Sequence, residues 1–403
     1  MLRQALILAG GRGTRLGALT DAVPKPMLPV AGRPFLEHLI RNLRRFGVDR
    51  IVLSVGYLAQ AFEAHFGDGG ALGVSIAYSH EAAPLGTGGG VRHALPLLDD
   101  AFLVLNGDTL FDCNYLDLAL LLGQAGGAPG AALALRRVDD ASRYGSVRLD
   151  GDRVAGFAEK SQAGPGLISA GVYALTRRVV EELPPGASSI ETDLFPRLAD
   201  RGALAARAYP GFFIDIGLPE TLAFADRAIP DWQRKPCVFF DRDGVLNTDF
   251  GYVHRPQDFQ WTEDAIEAVK WCNDCGYLVV VTTNQAGIAR GYYDAAAFHG
   301  LMDWMRGELR RHGAHLDAVY HCPHHPTAGQ GELGCVCDCR KPAGGMVRQA
   351  IEDWTIDAAR SVLIGDKPSD ISAGECCGVA GHLFTGGSLL AMVRECVAPL
   401  REA

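Results

Sequence analysis

The sequence predicts an α/β protein built from two doubly wound domains, each with a mostly parallel sheet covered by helices. A length of 403 residues exceeds one ordinary hydrophobic core, so two domains are expected. Short β-rich apolar runs alternate with amphipathic segments, as in strand–helix–strand units. Polar motifs follow such runs at residues 10 and 241, where open α/β sheets place their active sites. We expect a first domain over 1–230, a linker over 231–236 and a second domain over 237–403.

The alternation is clearest in the first domain. Strands are expected at 5–8, 51–55, 74–78 and 102–105, and helices at 35–46 and 58–66. The stretch 118–135 carries no charge, but five Gly and Pro residues break it into a helix, a loop and a strand rather than a membrane span. The segment 229–236 contains two prolines and four polar residues, which marks it as the linker.

Composition excludes several classes of function. The chain has 38 basic and 47 acidic residues, and its first 230 residues hold 22 and 24 of them. Neither half has the basic excess of a nucleic-acid binder. No signal peptide is visible, because the apolar run 5–9 is short and ends at two glycines. Eleven cysteines, an odd number, favour a reducing cytosol and metal ligands over disulfides. We expect a cytoplasmic protein without membrane partners; homo-oligomer formation is left open.

Lysine is rare in this chain and is concentrated in motifs. Only six of the 38 basic residues are lysine, and four of these lie in motifs described below: Lys25, Lys160, Lys341 and Lys367. A compact ammonium group is what a phosphate site often needs. The distribution therefore favours phosphorylated substrates in both domains.

A glycine-rich loop, Ala9-Gly10-Gly11-Arg12-Gly13-Thr14-Arg15-Leu16, follows the first strand. Its glycines allow backbone N–H groups to surround a phosphate chain, and Arg15 and Lys25 add positive charge. Six further motifs follow in order, and the whole set resembles the sugar-phosphate nucleotidyltransferases. These motifs are Pro24–Val30, Leu85–Gly89, Asn106–Asp108, Phe157–Lys160, Ser169–Tyr173 and Phe213–Gly217.

The resemblance implies a Rossmann-like nucleotidyltransferase fold and a role for each motif. Four residues would hold the nucleotide triphosphate, with Lys25 steadying it: Gly10, Gly11, Gly13 and Arg15. Three would lie near the base and the sugar: Gly86, Thr87 and Gly88. Asp108 and Asp215 would hold Mg²⁺, and Lys160 would bind the phosphate of the incoming sugar 1-phosphate. Glu191 and Asp193 either bind sugar hydroxyls or start a helix.

In the second domain, three strand ends supply the polar groups. Val238–Phe240 leads into Asp241-Arg242-Asp243, Tyr277–Gln285 ends in hydroxyl and amide groups, and Ser361–Asp370 contains a third acidic strand end. Arg340-Lys341-Pro342 lies between the last two. One carboxylate can attack phosphorus while the next handles protons. The set resembles all four motifs of the haloacid dehalogenase superfamily of phosphatases.

That resemblance implies an aspartyl-phosphate mechanism. Asp241 would be the nucleophile, and Asp243 would protonate the leaving oxygen and then activate water. Thr283 and Lys341 would hold the phosphoryl oxygens, and Asn284 and Arg340 would contact the substrate. Mg²⁺ would be bound by Asp241, Asp366 and the backbone carbonyl of Asp243. Asp370 either supports these groups or caps a helix.

A cysteine- and histidine-rich loop, 322–339, narrows the second family. Thiolates and an imidazole in paired spacing suit tetrahedral Zn²⁺. The loop resembles the zinc loop of the heptose bisphosphate and histidinol phosphatases, which implies four ligands: Cys322, His324, Cys337 and Cys339. Cys335 is left as a spare thiol, and His325 is the less favoured imidazole. A structural zinc here would fix the conformation of the loop that places Arg340 and Lys341 near the phosphate.

The two resemblances together suggest one route. A 7-phosphatase acting on D-glycero-D-manno-heptose 1,7-bisphosphate leaves a sugar 1-phosphate. The first domain resembles guanylyltransferases, which use a sugar 1-phosphate as substrate. We therefore expect a bifunctional enzyme of GDP-D-glycero-α-D-manno-heptose synthesis, with GTP and phosphorylated heptose as its partners. Mannose 1-phosphate or another sugar with another nucleotide is an alternative, as is a histidinol-phosphatase-like second domain. A non-enzymatic alternative is that one domain is a sugar-nucleotide-sensing module. That alternative would require a catalytic group to be missing from one of the motif sets, and none is missing.

Overall fold

The structure is a computed structural model of the 403-residue chain that describes residues 2–123, 130–141, 145–158 and 164–402. The chain divides into two compact units, Met1–Pro230 and Asp231–Ala403. Helix bounds show that the predicted linker 231–236 is not all loop. Residues 231–233 continue the last helix of the first unit, and residues 234–236 precede the next strand.

The first unit contains thirteen strands and seven helices among its described residues. The strands are β1 (Gln4–Leu8), β2 (Pro29–Val30), β3 (Arg33–Pro34), β4 (Arg50–Val55), β5 (Ser75–His80), β6 (Ala101–Asn106), β7 (Thr109–Phe111), β8 (Ala131–Val138), β9 (Ser146–Asp150), β10 (Arg153–Ala158), β11 (Gly166–Thr176), β12 (Leu204–Ala208) and β13 (Phe213–Asp215). The helices are α1 (Phe35–Arg45), α2 (Ala59–Phe66), α3 (Gly86–Ala94), α4 (Tyr115–Leu120), α5 (Arg177–Val180), α6 (Phe195–Asp200) and α7 (Pro219–Gln233).

Nine of these strands form one sheet in the order β5-β4-β1-β6-β11-β8-β12-β10-β9. Strands β5, β4, β1 and β6 are parallel, whereas β11 is antiparallel to both β6 and β8. The α/β class is therefore confirmed, but this sheet is mixed rather than mostly parallel. One reason is local: β9 and β10 are joined by the two-residue turn Gly151-Asp152, which only an antiparallel pair can use.

The second unit is an open five-stranded parallel sheet, as predicted. Its strands are β14 (Cys237–Phe240), β15 (Leu278–Asn284), β16 (Ala318–Cys322), β17 (Val362–Gly365) and β18 (Ala380–Leu383), in the order β16-β15-β14-β17-β18. Its helices are α8 (Ala265–Asp274), α9 (Ala286–Ala289), α10 (Ala295–Arg311), α11 (Gly345–Trp354), α12 (Pro368–Glu375) and α13 (Leu389–Glu402).

Alternate residues of the central strand β14 enter different cores. Val238 and Phe240 pack with α8, α10 and α13 on one face, whereas Cys237 and Phe239 pack with α11 on the other. All four side chains are fully buried. Because both faces are covered, the strand is apolar throughout, and its first polar residue comes where the strand ends.

The predicted elements match the structure to within two residues at their ends. The uncharged stretch 118–135 contains the end of α4 and the start of β8, while residues 124–129 lie outside the described part of the chain. Among the described helices, none combines the length and hydropathy that a membrane crossing needs.

Candidate active sites and metal centre

The first candidate site is a cleft of about 440 Å³ at the carboxyl ends of β1 and β6. It brings together residues predicted from separate motifs. Those that line it are Gly10, Gly11, Gly13, Arg15, Lys25, Gly86, Thr87 and Asp108. The glycine loop, the lysine motif and the second glycine motif thus share one cavity, as the motif order implied.

Gly13 allows the loop to lie against Lys25. Its φ of +64° is in the left-handed region, and a Cβ added there would lie 2.9 Å from Lys25 Cβ. Any larger residue would strain the backbone and collide with that side chain. The glycine therefore keeps the ammonium of Lys25, a buried residue, directed into the cleft.

Two carboxylates converge on this ammonium group. β13 pairs antiparallel with β7, which sets Asp215 opposite Thr109 and next to Asp108. Lys25 Nζ lies 2.5 Å from Asp108 Oδ2 and 4.0 Å from Asp215 Oδ1. Burial and the neighbouring Asp108 carboxylate raise the pKa of Asp215. Two oxygen donors that repel each other beside a phosphate-binding loop fit a divalent cation such as Mg²⁺.

The sequence reasoning missed Glu81, which also lines the cleft. Its Oε1 accepts a hydrogen bond from Ser54 Oγ (2.6 Å), and its Oε2 accepts one from the backbone N–H of Leu85 (3.2 Å). These contacts fix the carboxylate beside Gly10, where a Cβ would lie 3.3 Å from Oε1. Glu81 directly follows β5, so the strand-end rule that selected Asp108 could have found it.

The two acids left open in the sequence have different partners. Glu191 accepts hydrogen bonds from Thr87 Oγ1 (2.6 Å), Ser189 Oγ (2.8 Å) and Tyr173 Oη (3.3 Å). Asp193 accepts one from the N–H of Ser189 (2.8 Å), at the start of the helical turn that follows. Glu191 therefore supports Thr87, which lines the cleft, whereas Asp193 supports the turn.

Among the described site residues predicted for this unit, Gly88 and Asp215 do not line this cleft. Gly88 lies behind it, and its N–H donates to the Ser188 carbonyl (2.9 Å). Lys160 lies outside the described residues, so its role as a phosphate ligand stays a prediction.

The second candidate site lies where β14, β15 and β17 end, around a pocket of about 330 Å³. Asp241 follows β14 and is buried. Lys341 Nζ lies 3.0 Å from Asp241 Oδ1 and 2.7 Å from Asp370 Oδ1, and it donates to the Thr282 carbonyl (2.8 Å). Burial raises the pKa of Asp241 to about 6 against the opposing ammonium of Lys341. This carboxylate needs nearby positive charge to stay ionised.

Asp243 is held beside the nucleophile candidate by three side chains. Arg242, which is fully buried, donates to both of its oxygens, with Nη2 2.8 and 2.7 Å away. Asn247 Nδ2 donates to Oδ1 (3.1 Å), and Gln285 Nε2 donates to Oδ2 (3.0 Å). Gln285 also donates to Thr283 Oγ1 (2.8 Å), so Asp243 and Thr283, predicted to handle protons and to hold the phosphoryl group, share one hydrogen-bond network.

Three carboxylates at this strand-end site could hold a divalent cation. Oxygens of Asp241, Asp366 and Asp370 all lie within 4.8 Å of one another. Asp366 Oδ1 is buried and has no hydrogen-bond partner among the described residues. Such an acceptor is costly unless a cation or donor contacts it, so the residues fit Mg²⁺. Gly244, at φ +89°, allows this approach, because a Cβ there would lie 2.4 Å from Asp366 Oδ2.

Asp370 takes both of the roles that the sequence left open. Its Oδ1 pairs with Lys341, and its Oδ2 accepts the N–H of Lys367 (2.9 Å) at the start of α12. The capping contact fixes the carboxylate at the helix N-terminus. The acid therefore positions the buried lysine as well as capping the helix.

Asn284 and Arg340, predicted to contact the substrate, also make contacts within the protein, and Asn284 lines the pocket. Asn284 Nδ2 donates to the Lys341 carbonyl, and Asn284 Oδ1 accepts the Lys341 N–H, both at 3.1 Å. Arg340 Nη1 donates to the His324 carbonyl (3.1 Å). The first pair of bonds clamps the backbone of Lys341, and the second ties the preceding residue to the cysteine-rich loop.

The predicted zinc ligands lie together as a four-residue cluster. The ligand atoms of Cys322, His324, Cys337 and Cys339 all lie within 4.8 Å of one another. Neighbouring pairs are 3.3 to 3.7 Å apart, from Cys339 Sγ–Cys337 Sγ to Cys322 Sγ–His324 Nδ1. A tetrahedral zinc with bonds of about 2.0–2.3 Å places its ligand atoms about 3.5–3.8 Å apart, so this donor set fits Zn²⁺.

The cluster excludes the two alternative ligands. Cys335 is not among its members. His325 Nδ1 instead accepts hydrogen bonds from the N–H groups of Thr327 (3.3 Å) and Ala328 (3.0 Å). This histidine stabilises the turn that follows it.

Comparison with known proteins assigns both units. Residues 4–231 match the family described as Nucleotidyl transferase, and residues 338–394 match the family described as HAD-hydrolase-like. The D-glycero-beta-D-manno-heptose-1,7-bisphosphate 7-phosphatase of Haemophilus ducreyi is 51% identical over 146 residues, which is 36% of this chain and 80% of that protein.

Two relatives cover the first unit. The mannose-1-phosphate guanylyltransferase of Mycobacterium tuberculosis is 42% identical over 223 residues, 54% of this chain and 61% of that protein. The crystal structure of HddC from Yersinia pseudotuberculosis is 33% identical with a TM-score of 0.50, and it covers 57% of this chain and 100% of that chain. HddC has also been solved in complex with GMP-PN.

The clamp on Lys341 gives a first prediction. Asn284→Ala removes both hydrogen bonds to the Lys341 backbone, so the ammonium shifts relative to Asp241. We expect kcat for acetyl phosphate hydrolysis to fall about 10- to 100-fold, since misplacement by about 1 Å has effects of this size. Steady-state phosphate release measures the change, and nucleotidyl transfer by the same preparation serves as the control. An unchanged kcat would show that Asn284 does not position the lysine.

Proposed function

We propose that the chain catalyses two consecutive steps. It belongs to the nucleotidyl transferase family through residues 4–231, and to the heptose-bisphosphate type of haloacid dehalogenase-like phosphatase through its second unit. The second unit removes the 7-phosphate of D-glycero-D-manno-heptose 1,7-bisphosphate. The first transfers GMP from GTP to the resulting heptose 1-phosphate and releases pyrophosphate. The observation that carries this proposal is one chain with both complete sites, where one reaction leaves the anomeric phosphate that the other uses.

In the phosphatase step, an Asp241 oxygen attacks phosphorus, and the bond from phosphorus to the sugar oxygen breaks. Asp243 gives that oxygen a proton and later takes one from the water that hydrolyses the aspartyl phosphate. Lys341 and Thr283 contact the phosphoryl oxygens, with Lys341 offsetting their charge. A bound Mg²⁺, held by Asp241 and Asp366, would neutralise further charge on the phosphoryl group.

In the transfer step, a phosphate oxygen of the sugar 1-phosphate attacks the α-phosphorus of GTP, and the bond to the β-phosphate bridging oxygen breaks. The backbone of the glycine loop, with Arg15 and Lys25, stabilises the charge on the leaving pyrophosphate. Mg²⁺ on Asp108 and Asp215 would neutralise the reacting phosphates. No covalent enzyme intermediate is needed, because positioning and charge neutralisation suffice.

Glu81 supports guanine as the base. A fixed carboxylate only accepts hydrogen bonds, and guanine presents two adjacent donors, N1–H and the 2-amino group, on one edge. Uracil presents carbonyl oxygens on both sides of its single N–H, which a carboxylate repels. HddC, which the first unit resembles, has been solved with GMP-PN, and this supports a guanine nucleotide as the substrate of the first unit.

The identity of the Mycobacterium tuberculosis relative favours one alternative. Its name makes mannose 1-phosphate a second candidate acceptor for the first unit. Under that alternative the two sites would not share an intermediate. Offering heptose 1-phosphate and mannose 1-phosphate to the same preparation with GTP decides between them by their kcat/KM values.

The central experiment supplies D-glycero-α-D-manno-heptose 1,7-bisphosphate, Mg²⁺ and each nucleoside triphosphate in turn. We expect both phosphate and pyrophosphate to be released with GTP, and GDP-heptose to appear by mass spectrometry. Asp241→Asn should abolish phosphate release, and Asp215→Asn should abolish nucleotide-sugar formation from heptose 1-phosphate, each sparing the other activity. Loss of both activities from either change would contradict two independent sites.

Glu81 gives a prediction about base choice. Glu81→Gln keeps the shape of the side chain but replaces one acceptor with a donor. We expect kcat/KM for GTP to fall about 10- to 100-fold and the preference over UTP to narrow, because a guanine donor then lacks its partner. Initial rates of pyrophosphate release with both nucleotides measure this, and phosphatase activity is the control. An unchanged GTP preference would remove Glu81 from base recognition.

The cysteine cluster gives a prediction with a matched control. Cys337→Ser should reduce bound zinc from about one ion per chain and lower the melting temperature of the second unit, because a structural zinc contributes folding free energy. Cys335→Ser changes a thiol of the same loop outside the cluster and should keep the metal. Elemental analysis and thermal unfolding report both effects. Equal zinc loss in the two variants would refute the four-ligand assignment.

A further inference from the structure

The mouth of the phosphatase pocket carries an exposed aromatic pair. Tyr252 lines the pocket that contains Asp241, and its ring meets the Tyr292 ring edge-to-face with centroids 4.7 Å apart. The two residues are 44% and 56% exposed. Exposure alone needs no explanation, since Phe250 of the same loop is 62% exposed, but two paired rings at the rim of a pocket form an apolar surface that can cover a ligand.

The backbone of Tyr252 has a conformation that is unfavourable for a tyrosine. Its φ is +56°, in the left-handed region that a bulky side chain disfavours and that glycine adopts freely. The loop around it is firmly held. Arg242 Nη2 donates to the Val253 carbonyl (2.7 Å), and Asp249 pairs with Lys367 Nζ (3.5 Å). Strain that persists in a well-anchored loop beside an active site points to a role for this side chain.

The second aromatic residue comes from a different loop that is tied to the catalytic groups. Tyr292 follows α9, and its N–H donates to the Gly287 carbonyl (2.9 Å). The adjacent Tyr293 donates to Gln285 Oε1 (2.6 Å), and its ring stacks on His254 at 4.7 Å with an interplanar angle of 9°. Because Gln285 also contacts Asp243, the loop that carries Tyr292 and Tyr293 has a fixed position relative to the group predicted to handle protons.

We propose that Tyr252 and Tyr292 form an aromatic wall that packs against the sugar ring of the phosphatase substrate. This inference rests on the proposed function of the same site. The phosphate to be removed lies against Asp241 inside the pocket, and a 7-phosphate is separated from its ring by two carbon atoms outside the ring. The ring therefore reaches the mouth, where an aromatic face can cover its C–H groups. A substrate without a ring would not reach the wall.

The test compares two substrates in four variants. Tyr252→Gly and Tyr292→Ala remove the wall, Tyr252→Phe keeps the ring, and Phe250→Ala changes an exposed aromatic of the same loop that does not line the pocket. The substrates are heptose 1,7-bisphosphate and acetyl phosphate, which has no ring. For the first two variants, we expect kcat/KM for the bisphosphate to fall about 10-fold relative to that for acetyl phosphate, mainly through KM. Tyr252→Phe and Phe250→Ala should keep the wild-type ratio.

Two results would overturn the wall. Equal losses of kcat/KM on both substrates would mean that the tyrosines only support the loop, and unchanged kcat/KM values for both substrates would mean that they do not touch the sugar. Thermal unfolding separates these roles further. Tyr252→Gly should melt no lower than the wild type, since glycine relieves the left-handed strain, whereas a purely structural tyrosine would leave a less stable unit.

Failure of the proposed function would look different. If the wild type hydrolyses acetyl phosphate but not heptose 1,7-bisphosphate, the proposed substrate is wrong whatever the variants do. The same ratio is then measured with fructose 1,6-bisphosphate, which also offers a primary phosphate beside a ring. If Tyr252→Gly and Tyr292→Ala lower the ratio for fructose 1,6-bisphosphate, the aromatic wall is supported for a sugar other than heptose. If they leave that ratio unchanged, the aromatic wall is refuted.

Discussion

The interaction on which the second active site depends is the buried ion cluster around Lys341. Its side chain is 1% exposed, and the ammonium group contacts two carboxylates and a backbone carbonyl. Burial by itself would favour the neutral amine, but the carboxylates of Asp241 and Asp370 raise the pKa of Lys341 and keep it charged. Removing the ammonium would leave buried carboxylates unpaired, which costs several kcal/mol. The Asn284 clamp, the helix cap at Asp370 and the cysteine-rich loop all hold this one group in place.

The first site uses the same arrangement in an unrelated fold context. Lys25 is buried and lies between Asp108 and Asp215, as Lys341 lies between Asp241 and Asp370. In both cases a buried lysine meets acids at or just after strand ends, Asp108 and Asp215 in the first site and Asp241 in the second, where Asp370 of α12 joins them. Charge therefore accumulates at the edge of the sheet where phosphates are predicted to bind. A compact ammonium can fit between two carboxylates more readily than a guanidinium, which explains why lysine is kept here in a chain that otherwise uses arginine.

The two sites differ in how they would select a substrate. The first offers a fixed carboxylate, Glu81, with its oxygens set by Ser54 and Leu85, and a fixed acceptor can read the edge of a base. The second site has Lys341 and Thr283 in its pocket, the groups predicted to hold the phosphoryl oxygens. Under the proposal above, its selectivity would come from the mouth, where the rings of Tyr252 and Tyr292 meet. Phosphate chemistry and substrate choice would then be separated in space, which lets one scaffold serve many phosphate esters.

What the sequence determined by itself was local: the elements, the α/β class, the strand-end acids and a cysteine- and histidine-rich loop with the spacing of metal ligands. Hydrophobic periodicity, turn residues and ligand spacing all depend on residues close together in the chain. The choice of four ligands within that loop came from the family resemblance. What only the tertiary structure decided depends on partners far apart in the chain. Gln285 reaches Asp243 across 42 positions, Asn284 reaches Lys341 across 57, and the direction of β11 beside β6 has no local signal. The reason is physical. The sequence pattern of a buried strand, or of the polar residues at its end, is the same whichever strand lies beside it, and the packing of the whole domain selects the neighbouring strand.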